Sequence, residues 1–289
     1  KDPSLRSSLG TLLTKMLVTM SERGPDSSGV AIYSNGNDKF KKITLCSNSP
    51  ESGFEDLVNR INQKLDTTVK LNLNDTHAVL IVPSGDMHNV LNLLKTIAPS
   101  FSIMSLGNSI EIYKETGLPA EVANRFSLQT KEGTHGIGHT RMATESAVNT
   151  MGAHPYSTGL DQCLVHNGSL SNHNNLRREL KRNGVNLDTD NDSEVAAAYL
   201  THQMKLGASL EIALNNALKD LDGFYTFVVG TENGFGVLRD PIACKPAVMA
   251  QTNQFVAFGS EFRALAQLPG IENARVWEPE PGIPYFWGS

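Results

Sequence analysis

Gly136-Ile137-Gly138-His139-Thr140-Arg141-Met142-Ala143-Thr144 is a short apolar, strand-like run that ends in a guanidinium and hydroxyls. Downstream, residues 162–165 form a second strand-like run that ends at His166-Asn167-Gly168, with an amide side chain and a glycine N–H. A fixed cation and a pair of hydrogen-bond donors at two strand ends suit a small carboxylate-bearing amide whose carbonyl is under attack. The duller readings are a surface salt bridge for Arg141 and a plain turn for Asn167-Gly168.

Outward from that stretch, the chain divides by texture. Leu5, Leu9, Leu12, Leu13, Met16, Leu17 and Met20 recur at helical spacing and predict an amphipathic opening helix. Arg23-Gly24-Pro25-Asp26-Ser27-Ser28-Gly29 stops it, and the Arg23 and Asp26 side chains beside glycines are as consistent with a site as with a turn. Residues 30–33 and 40–45 read as strands joined at Asn35-Gly36, a two-residue hairpin signal. From residue 47 to 131 the pattern becomes alternating helix and strand without a cluster of reactive side chains. That segment reads as an inserted α/β subdomain, leaving residues 1–46 and 132–289 as the main body. In the body, Ser171 is expected to cap a helix that stops at Gly184. Asp192 starts a second helix as an attractive N-cap, and a third runs over residues 209–221. Short strands then follow in quick succession, giving an α+β layered sandwich with the site at strand ends.

Composition narrows the functional classes. The 25 basic and 30 acidic residues are scattered, giving a formal net charge of -5 and no basic stripe for nucleic acid. No apolar run approaches the ~20 residues of a membrane span. Three cysteines, Cys46, Cys163 and Cys244, are too few and too dispersed for a disulfide framework; they fit a reducing, cytoplasmic setting. Neither CxxC nor HExxH spacing occurs, so no protein-held metal is expected.

Five motifs in register carry a resemblance: Arg23 to Gly29, His139 to Thr144, Ala153-His154-Pro155, His166-Asn167-Gly168 and Asp192-Ser193-Glu194-Val195. Asp222-Gly223-Phe224, Arg239-Asp240-Pro241 and Gly259-Ser260-Glu261 extend it. Together they resemble the class II glutamine amidotransferase domain of the N-terminal-nucleophile hydrolases. The run of residues 140–146 and the insert are similar to stand-alone glutamate-synthase-like subunits, including those of N-methylglutamate synthases. Two positions depart from other branches: Met142 replaces a common aromatic, and Glu145 replaces a neutral polar residue or His.

The resemblance implies a four-layer αββα fold that hydrolyses the side-chain amide of glutamine. It assigns the oxyanion donors to Asn167 and Gly168, the α-carboxylate clamp to Arg141 with Thr144 adding a hydroxyl, and the α-ammonium partner to Asp192. Arg23, Asp26 and His139 are candidates for shaping the site. His139, His154 and His166 are read as structural, because the family's base is the α-amino group of an N-terminal cysteine nucleophile. That cysteine belongs a few residues before Ser4 and none stands there, so the 289 residues as written are expected not to hydrolyse glutamine. No cofactor is expected on this chain, while FMN and iron–sulfur clusters belong to glutamate-synthase-like partner subunits. The rival reading is a non-catalytic subunit that binds glutamine or glutamate.

Overall fold

The computed structural model describes residues 1–47, 53–143 and 148–288. The chain opens with α1 (Leu9–Thr19), which buries Leu13 and Leu17 on one stripe, and continues into β1 (Ser27–Tyr33). β2 (Phe40–Cys46), α2 (Phe54–Leu65), β3 (Lys70–Asn74), β4 (His77–Pro83), α3 (Met87–Ile97) and β5 (Ser102–Gly107) follow. Next come β6 (Ile110–Thr116), α4 (Pro119–Arg125), β7 (His135–Arg141), β8 (Tyr156–Gly159) and β9 (Gln162–Leu170). Three helices, α5 (His173–Arg182), α6 (Asp192–Lys205) and α7 (Leu210–Asp220), lead to β10 (Gly223–Thr231) and β11 (Gly234–Arg239). The chain ends with β12 (Val248–Gln251), β13 (Val256–Gly259), α8 (Phe262–Leu265), β14 (Arg275–Trp277) and β15 (Tyr285–Gly288).

Strand pairing yields four sheets, ordered β6-β1-β7, β15-β11-β10-β9-β8, β13-β12-β14 and β3-β4-β2-β5. The first two face each other across a core of Ala31, Tyr33, Ile112 and Ile137 against Cys163, Val165 and Val228. α5, α6 and α7 cover the outer face of the five-stranded sheet through Leu176, Val195, Leu200 and Leu214. On the opposite side, α1 and α4 cover β1 and β6 through Leu13, Leu17, Val122 and Ala123. α1 also reaches the β13-β12-β14 sheet, where Leu12 and Met16 pack on Ala250 and Leu265. The result is four layers, αββα, as the motifs led us to expect. α6 shows why: Val195 to Leu200 are all buried, so its Ala-rich sequence is wedged between sheet and neighbouring helices rather than exposed on one face.

Two local expectations are corrected. No hairpin forms at Asn35-Gly36, because β1 pairs with β6 and β7 while β2 joins β4 and β5. The strands flanking that turn signal each take partners far along the chain instead of one another. The β3-β4-β2-β5 sheet belongs to a unit of its own. Its β2-α2-β3-β4-α3-β5 chain runs Phe40–Gly107, with α2 and α3 sealing Ile43, Leu45, Leu80 and Val82. Residues 110–125, with β6 and α4, lie in the main body. The cap residues move too. Asn191, not Asp192, caps α6 by accepting from Ser193 N–H, and Asn172 rather than Ser171 precedes α5.

Candidate active site

β7 and β9 deliver the two motifs to one cavity of about 1940 Å³, which Arg23, His139, Arg141, Asn167, Gly168 and Asp192 all line. Arg141 is the last residue of β7, opposite Ser27 of β1, and is buried. Asp26 lies behind it: its backbone N–H donates to Arg141 O at 3.1 Å, and its carboxylate accepts from Ala143 N–H at 2.7 Å. This fixes the chain just past the guanidinium. Thr144 and Glu145 lie outside the described residues. Arg23 is tied by a 2.9 Å ion pair to Glu261, a residue of the third quoted C-terminal motif, so it joins the opening loop to the start of α8.

Asn167 and Gly168 sit near the end of β9, paired with Thr226 and Tyr225 of β10. Gly168 has φ +147, and a Cβ there would lie 2.0 Å from Phe224 O, so the position accepts only glycine. Asp192 opens α6 directly beside this strand end. One of its carboxylate oxygens accepts from Leu170 N–H at 2.9 Å; the other faces Ser193 Oγ at 3.3 Å and His166 Nδ1 at 3.7 Å. Asp192 therefore latches the helix to the strand and still borders the cavity.

The histidines form a wall. His139 and His154 rings lie 4.3 Å apart, and His154 meets Tyr156 edge-on at 5.0 Å. Burial pushes His139 and His166 down to about 4 and His154 well below the ordinary range, so all three are neutral at neutral pH. The Asp192–His166 approach is therefore a carboxylate beside a neutral imidazole rather than an ion pair. Among the described residues, no group of three His, Cys, Asp or Glu side chains is arranged to hold a metal ion.

Three buried charged groups were given no role by the sequence reading. Glu194 accepts from Asp188 N–H, Thr189 N–H and Thr189 Oγ1, each at 2.7 Å, and Arg177 donates to Thr189 O and, at 3.1 Å, to Asn191 O. Together they shape the 188–191 rim of the cavity. Lys114, in β6, is the third. A lysine in a strand whose other inward positions are apolar or small was the one available cue.

The cavity is larger than the ~300–1,000 Å³ usual for a small ligand. Its lining continues along β7 and β13, where Leu9, Leu13 and Leu17 of α1 and Val165, Val228 and Phe235 of the five-stranded sheet also border this slot. Among the described residues β7 pairs with β1 alone and β13 with β12 alone, so each presents an open edge to this slot.

The same sandwich occurs in the phosphoribosylpyrophosphate amidotransferase of B. subtilis (TM-score 0.62, 18% identity) and in a structure titled as the allosteric regulatory enzyme of purine biosynthesis (TM-score 0.64, 19% identity). Each comparison covers 98% of this chain and 45% of the other, and the likeness is one of fold. Residues 139–267 match the glutamine amidotransferase domain family. The glutamine amidotransferase-like protein GlxB of Rhizobium meliloti is 58% identical over 99% of this chain and 95% of its own length. A putative glutamine amidotransferase of Methanothermobacter thermautotrophicus is 32% identical over 98% and 95%, respectively. The chain belongs to the class II glutamine amidotransferases.

Proposed function

We propose that this protein takes glutamine in the cavity and supplies the nitrogen of its side-chain amide to a glutamate-synthase-like partner. The observation that carries the reading is the convergence of Arg141, Asn167, Gly168 and Asp192 on one cavity. Arg141 pairs with the α-carboxylate, where a planar fork is worth more than a lysine point charge. Thr144 adds a hydroxyl, and Asp192 receives the α-ammonium with the carboxylate oxygen not committed to Leu170. Arg23, Asp26 and His139 shape the surroundings rather than contact the reacting atoms.

A cysteine thiol attacks the amide carbon, giving its proton to its own α-amino group. Negative charge gathers on the former carbonyl oxygen, held by the Asn167 amide and the Gly168 N–H. The C–N bond then breaks, ammonia leaves with that proton, and water hydrolyses the thioester to glutamate. Cys46 and Cys163 are buried and Cys244 is exposed in a loop, and none lines the cavity. None of these three is therefore the nucleophile in this reading; the rival reading is a subunit that binds glutamine or glutamate without turning it over. Three free cysteines suit a cytoplasmic setting.

The test is Asn167→Ala in protein carrying the N-terminal cysteine. Glutamate release should fall by about 10²–10³ while glutamine affinity holds. Unchanged release removes Asn167 from the oxyanion role.

A further inference from the structure

Lys114 is buried, yet its ammonium meets backbone rather than a carboxylate. Nζ donates to Met151 O at 3.3 Å, Ala153 O at 2.7 Å and Pro155 O at 3.2 Å, and lies 4.7 Å from the centre of the Tyr156 ring. Three carbonyls from alternate residues of one strap thus close on a single cation. The strap crosses β1 at Gly29, where a Cβ would sit 2.3 Å from His154 O and 2.4 Å from Lys114 Cβ. It carries His154 onto His139, whose side chain shares a face of β7 with Arg141 two residues on.

We propose that Lys114 is a positioning residue for the carboxylate clamp: it fixes the strap of residues 151–155 against β7 and adds a buried positive charge behind Arg141. This rests on the reading of Arg141 as the group that receives glutamine's α-carboxylate. An anion arriving at Arg141 is drawn by both charges, and a strap held by three donors keeps the β7 end from shifting.

The arrangement makes affinity depend on the protonation of Lys114. Burial, opposed by Cys46 and Glu194 and reinforced by Arg141, draws Lys114 down to about 8. Above that value the neutral amine has two N–H groups for three carbonyls and no charge to offer. Its neighbours with displaced values lie outside this range: burial holds His77 at about 3, keeps His154 well below its ordinary value, and raises Cys46 to about 11 and Tyr156 still further. Glutamine affinity should therefore fall as pH rises through the Lys114 value, and by linkage glutamine should draw a proton onto Lys114.

Calorimetric titration of glutamine into wild-type and Lys114→Met protein tests this. Near about pH 7 the variant should bind about tenfold more weakly. The ratio of the two dissociation constants should approach one near about pH 9, because glutamine's own ionisation is common to both proteins. Turnover at saturating glutamine should change less than KM. A ratio of one at the lower pH, or a tenfold ratio persisting at the higher, overturns the proposal. If Lys114→Met does not fold, Lys114→Gln takes its place. Wild-type protein titrated near about pH 8 in buffers of different ionisation enthalpy should in any case record proton uptake, and none would be equally fatal. Failure of wild-type protein to bind glutamine, or undiminished binding by Arg141→Ala, overturns the site reading itself. Wild-type-like binding by Lys114→Met, with Arg141→Ala inactive in binding, overturns only the role of Lys114.

Discussion

Replacing Gly168 by alanine tests whether the oxyanion strand end is shaped by backbone contact. At φ +147 a side-chain-bearing residue costs of order 1–3 kcal/mol in backbone strain. The new Cβ would also stand 2.0 Å from Phe224 O and 2.8 Å from Tyr225 Cα. Relieving those contacts moves β10 by about 1 Å, and forcing bulk into a packed site adds about 1–3 kcal/mol. β10 cannot yield cheaply, because β9 and β11 pair with it along both edges. The sum, about 2–6 kcal/mol, corresponds to a Tm fall of roughly 3–10 °C. Gly184→Ala is the internal control: its φ is +77 and nothing lies within 4 Å of an added Cβ, so it carries backbone strain of about 1 kcal/mol and no clash. Thermal unfolding followed by circular dichroism compares the two. Equal Tm values would refute the argument that Phe224 and Tyr225 close the space beside Gly168.

Three further outcomes are expected. His77 is held at about 3 and His135, His139 and His166 at about 4, so unfolded chains bind protons that the fold refuses. Stability from these groups is complete above the unfolded value of about 6.5 and is lost as pH falls through the folded values, so the urea midpoint should drop between about pH 6.5 and 4; a flat midpoint would contradict their burial. Asp161 accepts from Asn108 N–H, Ser109 N–H, Ser109 Oγ and Ile110 N–H at 2.7–3.1 Å, joining the β5–β6 turn to the β8–β9 turn. Asp161→Ala orphans these donors and should cost about 3 kcal/mol in denaturant unfolding, and an unchanged midpoint would refute that role. Burial raises Cys46 and Cys163 to about 11, whereas Cys244 is exposed, so a thiol reagent should modify Cys244 alone in the native protein. Stoichiometric labelling of a second thiol would show that one of those interiors is open.

The layers were legible because their signals are local. The α1 stripe, the helix through Val195 and Leu200, and the short motifs at strand ends are each contained within a few turns or one strand. Pairing was not legible in that way. Asn35-Gly36 has the chemistry of a tight turn, but Tyr33 sits opposite Ile110 and His135, so long-range burial overrode it. Lys114, Asp161 and Glu194 escaped for a related reason. Each is satisfied largely by backbone groups brought from far along the chain or around a loop, and backbone partners leave no mark in side-chain pattern. The cap at Asn191 was missed by one residue because Asp192 also suits a helix start.

The register Tyr33↔Ile110 has a consequence for the order of assembly. The β2-to-β5 unit occupies the turn of one long hairpin whose arms are β1 and β6. Those arms meet only after a loop of more than seventy residues has closed, which is slow for a flexible chain. If residues 40–107 collapse first, around their own two helices, the ends of the unit are delivered side by side and the closure becomes short. Nucleation would then begin at the periphery, with the strands flanking Arg141 among the last to lock. Pulsed hydrogen exchange should protect β4 before β1.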